Sequence, residues 1–385
     1  MAFSEADMEG RRWLMERMRA AGLETAMDGA GNVVGRLPGK NPDAPAVVIG
    51  SHTDTVPRAG YLDGALGVLT GLEAARAVQD AGLQLERPLE VISFADEEGR
   101  FGGMFGSQAL CGLITPATLH SVNDIDGERL EDAMRRVGLD PLAALDAARP
   151  RESIHAYLEL HIEQGPVLDR KGLSAGIVEG IAGLFKWQVA LTGEANHAGS
   201  TPMDMRRDAF LGLADFAHEI PRILDENGNE SSRATVGKAE LVPGSPNTVP
   251  GAVNFTLDVR DLQLASLKEL QAAFRKALSA IGRRRELKFD FDEISFIEPV
   301  DCNPAIRKRL LEAAEQNGIP CLEMPSGAAH DAQMVSRIAP IGLVFAPSKN
   351  GVSHSPAEWT DWADVEAAAT IVLSAAAQIA SGDSL

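Results

Sequence analysis

At 385 residues the chain is longer than one comfortable hydrophobic core, so two domains are the default, and 45% hydrophobic with 24% charged residues is the balance of a soluble globular enzyme. A net charge of −19 excludes nucleic acid as a partner, because phosphate binding needs a basic surface; the short run Arg283-Arg284-Arg285 suits a helix end, where cations meet the dipole. Three cysteines without metal-site spacing (Cys111, Cys302, Cys321), an acidic start (Glu5, Asp7, Glu9) and no apolar run of membrane-spanning length predict a cytoplasmic protein with no membrane partner.

Residues 4–21 carry apolar positions at helical spacing (Met8, Trp13, Leu14, Met18), and Gly22 reads as the stop. Two short strands follow, around Glu24–Ala26 and Asn32–Arg36. Next comes the β-branched run Val47-Val48-Ile49, ending in Gly50-Ser51-His52-Thr53-Asp54 and continued by Tyr61-Leu62-Asp63-Gly64. A strand's C-terminal edge is where α/β proteins place ligands. His52 offers a neutral imidazole and Asp63 an oxygen pair able to bridge two cations, a donor set suited to zinc. Asp54, two residues after His52, is placed to fix the imidazole tautomer.

The Ala- and Leu-rich segment 64–81 reads as a helix packed on a sheet, and Leu89–Ala95 as the next strand. That strand ends in Asp96-Glu97-Glu98-Gly99, where one carboxylate can hold a metal while its neighbour faces water as a base. A third strand, Tyr157–Ile162, ends in His161-Ile162-Glu163-Gln164-Gly165-Pro166, with His161 and Glu163 on one face by alternation. A fourth, Leu343–Ala346, leads to Ser353-His354-Ser355-Pro356. Any one of these side chains reads equally well as a turn former or a hydrogen-bonded loop histidine, but four strand ends together supply ligands for two cations around a shared carboxylate.

The middle segment reads as its own domain. Strands at Phe185–Leu191, Ala234–Val242, Ala252–Val259 and Glu286–Phe296, with helices at 206–226 and 263–281, give the order βαββαβ of a ferredoxin-like split unit. The expected architecture is therefore an α/β catalytic domain (1–183 and 299–385) with a mixed, largely parallel sheet flanked by helices, plus an inserted ferredoxin-like α+β lid (184–298).

The motifs Gly50-Ser51-His52-Thr53-Asp54, Asp63-Gly64-Ala65-Leu66-Gly67, Phe94-Ala95-Asp96-Glu97-Glu98-Gly99, His161-Ile162-Glu163-Gln164-Gly165-Pro166, Gly193-Glu194-Ala195-Asn196-His197-Ala198-Gly199 and Ser353-His354-Ser355-Pro356 occur in one order along nearly the whole chain. In this the sequence resembles the hydantoinase/carbamoylase amidohydrolases, within the dinuclear metallo-aminoacylase and carboxypeptidase superfamily. The resemblance implies that Asp63 bridges two divalent ions (zinc, with manganese, cobalt or nickel as alternatives), that Glu98 and His354 complete one site, and that His52 and His161 complete the other. It makes Glu97 the general base and Asp54 the residue that orients His52. A His at position 161, where peptidase relatives tend to carry an acid, favours carbamoyl and ureide substrates. The resemblance also makes the lid a homodimer interface and implies a substrate-binding set of Gln164, His197, Asn247, Arg260, Gly327 and His330. Within that set, His197 serves as an oxyanion donor reaching the partner subunit's site and Arg260 as a fork for a substrate carboxylate. On the residues alone, His197 and Asn247 read as turn residues and Arg260 as the ion-pair partner of Asp258 or Asp261. The loop Ser326-Gly327-Ala328-Ala329-His330-Asp331 resembles further substrate contacts, and in it Ala329 stands where relatives often carry Gly.

Gly172-Leu173-Ser174-Ala175-Gly176 matches the G-x-S-x-G nucleophile elbow, but strand-like Ile177–Ile181 follows Ser174 where an elbow needs a helix. The sequence thus predicts a dinuclear metal-dependent hydrolase cleaving the linear C–N bond of a carboxylate-bearing N-carbamoyl-L-amino acid or a ureide such as allantoate. Its competitors are an aminoacylase or dipeptidase on the same scaffold and a catalytically silent metal-binding interaction protein.

Overall fold

The computed structural model describes residues 1–382, which divide into two compact units, residues 1–179 with 301–382 and residues 180–300. The chain runs through α1 (Glu5–Ala20), β1 (Glu24–Met27), β2 (Val33–Leu37), β3 (Ala46–His52), α2 (Ala65–Asp80), β4 (Leu89–Phe94), α3 (Phe105–Leu110), α4 (Pro116–Ser121), α5 (Leu130–Arg136), β5 (Ile154–Ile162), α6 (Val167–Lys171) and β6 (Ala175–Ile181). The second unit carries β7 (Gly183–Thr192), β8 (Asn196–His197), α7 (Ala209–Asn227), β9 (Arg233–Thr235), β10 (Ala239–Val242), β11 (Thr248–Val249), β12 (Ala252–Asp261), α8 (Leu264–Arg285) and β13 (Lys288–Ile297). The first unit then closes with β14 (Val300–Asp301), α9 (Pro304–Gln316), β15 (Cys321–Ser326), α10 (Asp331–Val335), β16 (Ile341–Ala346) and α11 (Trp362–Ala380).

Local chemistry explains the first helix. Ser4 accepts the amide of Asp7 as N-cap, Glu5 and Asp7 sit in the first turn, and Arg17 and Arg19 sit in the last. The main sheet runs β1-β2-β4-β3-β5-β16-β6-β14, with β15 beside β6. Its centre is parallel: β3 pairs with β4 and β5, and β5 with β16, while β2 joins β4 and β6 joins β16 antiparallel. The central strands are buried along their length except at the half-buried His155 of β5, as expected when helices cover both faces of a parallel sheet. Because His52 lies beside Phe94 and His161 beside Phe345, the four central strands end together. The four sequence motifs therefore leave the sheet along one edge.

No apolar run of membrane-spanning length was expected, yet by length and composition the 19-residue helix α11 is one. Its apolarity comes from alanine instead of Leu and Ile, and its buried Ile371, Val372, Ala375 and Ile379 pack in the core of the first unit. Residues between Phe105 and Arg136, unassigned from the sequence, form three short helices around Phe101, Phe105 and Leu130.

In the second unit the sheet order is β10-β12-β7-β13, with α7 and α8 packed on it around Trp187, Phe216, Phe255 and Phe274. The single strand expected at Ala234–Val242 is two strands, β9 and β10, both paired with β12. Between them the ladder opens at Gly237, and Thr256 Oγ1 accepts the Lys238 amide. Arg283, Arg284 and Arg285 occupy the last turn of α8, where Arg284 and Arg285 pair with Asp215.

Candidate metal centre

Two groups of side chains converge at the shared edge of β4, β3, β5 and β16. In the first, ligand atoms of His52, Asp63 and His161 lie within 4.8 Å of one another; in the second, those of Asp63, Glu98 and His354 do the same. Asp63 belongs to both. Its Oδ1 is 3.0 Å from His161 Nε2 and 3.8 Å from His52 Nε2, and its Oδ2 is 3.1 Å from His354 Nε2. His354 Nε2 is also 3.4 Å from Glu98 Oε2. His52, Asp63 and His161 are each 2% exposed, whereas the His354 side chain is about half exposed.

Main-chain carbonyls aim the two buried imidazoles. Nδ1 of His52 lies 3.0 Å from the Asp54 carbonyl and Nδ1 of His161 lies 2.9 Å from the Ile162 carbonyl, so each Nδ1–H donates backward and each Nε2 faces Asp63. Asp54 therefore orients His52 through its backbone; its carboxylate is 3.9 Å from the ring. That carboxylate instead accepts the amides of Glu97 and Glu98 at 3.3 Å, fixing the turn that carries both acids. Gly64 makes room for the cluster: with φ at +63°, it approaches so closely that a Cβ would lie 2.3 Å from the His52 ring.

The electrostatics are those of a site short of positive charge. Burial works to raise Asp63, yet His161, His354 and His52 outweigh it and hold the carboxyl far below its usual range. Burial likewise opposes a charged His161, but Asp63 pushes it up to about 9. Glu98 Oε1 is buried without a hydrogen-bond partner, and nitrogen and carboxylate donors in these numbers suit a borderline divalent ion. The residues present thus fit two cations. Glu97 stands outside both groups, with Oε2 3.6 Å from His52 Nε2; burial, then Asp331, Glu98, Asp54 and Glu159, raise it well above the ordinary carboxyl range.

Other expected residues are distributed differently. Gln164, in the left-handed region at φ +56°, turns Nε2 to Asp63 Oδ2 at 2.8 Å. Glu163 caps the first turn of α6 by accepting the amides of Val167 and Leu168. His330 is 1% exposed, with Nε2 2.9 Å from Ser326 Oγ and its ring 4.5 Å from that of His161. At Gly327 a Cβ would meet nothing within 4 Å, so that loop is open. Ser174 lies between α6 and β6, the reverse of the strand-turn-helix order of a nucleophile elbow.

In the second unit, β8 and β11 pair His197 with Thr248, which sets His197 beside Asn247; the Ala198 amide donates to the Asn247 carbonyl. His197 Nδ1 accepts the amides of Gly199 and Ser200, leaving Nε2–H as an outward donor on an exposed ring. Arg260 lies at the far end of β12, and at about 3.3 Å per residue roughly 25 Å of strand separates it from Ala252. Its guanidinium pairs with Asp258 at 2.9 Å.

Sequence reasoning gave Glu159 no role and placed Asp331 only within a loop of substrate contacts, whereas both are buried acids beside the cluster. Glu159 accepts from Ser51, Tyr157 and the Ala332 amide, and Asp331 is pushed up to about 8 by burial and by Glu159. Their signals were available: Glu159 shares a strand face with His161, and Asp331 follows His330 directly. Glu358, also missed, lies four residues beyond His354.

Residues 48–378 match the peptidase family M20/M25/M40. The chain is 39% identical over 386 residues to an N-carbamoyl-L-amino acid amidohydrolase of Geobacillus stearothermophilus, covering 100% of this chain and 93% of that protein. It is 37% identical over 368 residues to an allantoate amidohydrolase of Escherichia coli strain K12, covering 95% and 89%. Among solved structures, a hydantoinase/carbamoylase family amidase from Burkholderia multivorans superimposes with a TM-score of 0.91 at 36% identity, covering 100% and 93%.

Proposed function

Because the chain belongs to the peptidase family M20/M25/M40, and within it to the hydantoinase/carbamoylase amidohydrolases, we propose that it hydrolyses the linear C–N bond of an N-carbamoyl-L-amino acid or a related ureide. The observation that carries this reading is Asp63, one buried carboxylate shared by two ligand groups, with Glu97 beside them and outside both. His52 and His161 with Asp63 would hold one divalent cation, and Glu98 and His354 with Asp63 the other. Zinc suits the donors, as do manganese, cobalt and nickel. When bound there, such ions supply Lewis acidity that polarises a carbamoyl carbonyl and lowers the pKa of water.

The protein's own groups move the proton. Glu97, made basic by burial and by its acidic neighbours, takes a proton from the attacking water as oxygen bonds to the carbamoyl carbon. It then returns that proton to the departing nitrogen as the C–N bond breaks. From an N-carbamoyl-amino acid the products are the amino acid, carbon dioxide and ammonia. Arg260 supplies a fork for the substrate carboxylate, and Gln164, Asn247, Gly327 and His330 shape the remaining contacts. His197, with its outward Nε2–H, donates to the developing oxyanion from a partner copy in a cytoplasmic homodimer.

A turnover panel tests the reading. Protein stripped of metal and reloaded with zinc, manganese, cobalt or nickel is assayed on N-carbamoyl-L-amino acids, allantoate, ureidoglycolate, N-acetyl-amino acids and dipeptides. Metal-dependent turnover of a carbamoyl or ureide compound is expected. Preference for acylamino acids or dipeptides would assign the aminoacylase or dipeptidase class, and absence of turnover with both metals bound would leave a silent binding protein.

A further inference from the structure

The loop that carries Asp63 has no regular structure between the end of β3 and the start of α2, and the N-cap of α2, Gly64, offers no side-chain cap. Something other than local geometry must therefore hold the Asp63 carboxylate between the two ligand groups. Glu358 is so placed. It is 2% exposed; its Oε1 accepts the amides of Leu62 at 3.0 Å and Asp63 at 3.1 Å. Its Oε2 lies 3.0 Å from Ser353 Oγ, which in turn lies 3.2 Å from Asp63 Oδ2. Ser353 has one proton for these two carboxylates and directly precedes His354, so the Glu358 side chain ties the Asp63 loop to the His354 loop.

The tie is rigid at both ends. A Cβ on Gly60 would fall 2.2 Å from Glu358 Oε1, so the loop packs directly on this carboxylate. On the other side, Thr360 donates its hydroxyl proton to the Pro347 carbonyl at 2.7 Å, and the Trp359 carbonyl accepts the Lys349 amide at 2.9 Å. Both anchors lie just beyond the end of β16. A buried carboxylate with two backbone amides and a hydroxyl as partners is satisfied, and removing it leaves those donors uncompensated.

We propose that Glu358 is a positioning residue that fixes Asp63 as the shared ligand and sets the His354 loop relative to it. The proposal rests on the dinuclear reading above. Cobalt(II) titration of the metal-stripped full-length chain tests it, with visible absorption as the readout and bound cobalt counted by elemental analysis. Wild type, Glu358→Gln, Glu358→Ala and Ser353→Ala are compared, and circular dichroism checks that each is folded.

The wild type is expected to bind two equivalents. Glu358→Ala should weaken the equivalent held by Asp63, Glu98 and His354 by about 10–100-fold and change its absorption spectrum. Glu358→Gln keeps an amide oxygen for the two backbone amides and should stay within about threefold of wild type. Ser353→Ala should weaken the same equivalent by about tenfold, and it carries the test together with Glu358→Gln if Glu358→Ala does not fold. Wild-type cobalt binding by Glu358→Ala or by Ser353→Ala overturns the assignment. So does a folded Glu358→Gln protein that binds cobalt as weakly as the alanine variant, or one that loses an equivalent while Ser353→Ala keeps both. A wild-type chain that takes up no cobalt brings down the dinuclear reading and this assignment with it.

Discussion

The two units hold their polar residues in opposite ways. In the first, His52, Asp63 and His161 are buried, and backbone carbonyls aim both imidazoles at the Asp63 carboxylate. In the second, His197, Asn247 and Arg260 are each satisfied by a near neighbour, the first two side by side at the β8–β11 pair and the third on β12. Burial makes the first set costly unless a cation completes it, whereas near neighbours and solvent satisfy the second set without one. The contrast teaches that a convergent buried cluster is built into one unit, whereas the polar residues of the other are held singly near its surface.

The hardest blow to this contrast is Asp63→Ala. Since one carboxylate serves both groups, the variant is expected to lose both metal equivalents and fall to background turnover, as read by elemental analysis and assay. Retention of two tightly held ions would show that the groups are independent. Next comes Glu97→Gln, which should lower kcat by roughly 10²–10⁴-fold while both ions stay bound; near-normal turnover would remove Glu97 from proton transfer.

A pH series sharpens the same point without mutation. His161 is raised to about 9 in the metal-free chain and must lose its proton to bind a cation. Apparent affinity should therefore climb about tenfold per pH unit between pH 7 and 9 and then level off. The sign for metal-free stability is opposite: the contribution of charged His161 is complete below pH 6.5 and lost as pH rises through about 9. Flat affinity across that window would mean His161 enters the site already neutral. The smallest expected effect tests the second unit: Arg260→Leu should raise KM by about tenfold with metal content unchanged, and an unaltered KM would place the carboxylate contact elsewhere.

The candidate ligand residues were legible because they lie at or shortly after the ends of apolar strands that can be read locally, and because four such ends each carry His or acid side chains. Other features were beyond local reading. The split of β9 from β10 depends on how Thr256 meets Lys238 across the sheet, and the short helices after Phe101 carry too few apolar positions for a clear period. For α11, alanine supplied the apolarity, so its place in the core appears only once neighbouring helices and strands are present.

By itself, then, the sequence determined the strand-end motifs, their order and the αβ alternation that brings parallel strands to a common edge, because hydrophobic period and turn chemistry act over a few residues. Only the tertiary structure decided that the Asp54 backbone aims His52, that the Asp54 carboxylate holds the Glu97 turn, and that Glu358 reaches across nearly three hundred residues to the amide of Asp63. The last two contacts join segments distant in sequence and the first depends on the exact turn after β3, so the geometry of all three is set by where the packed strands end.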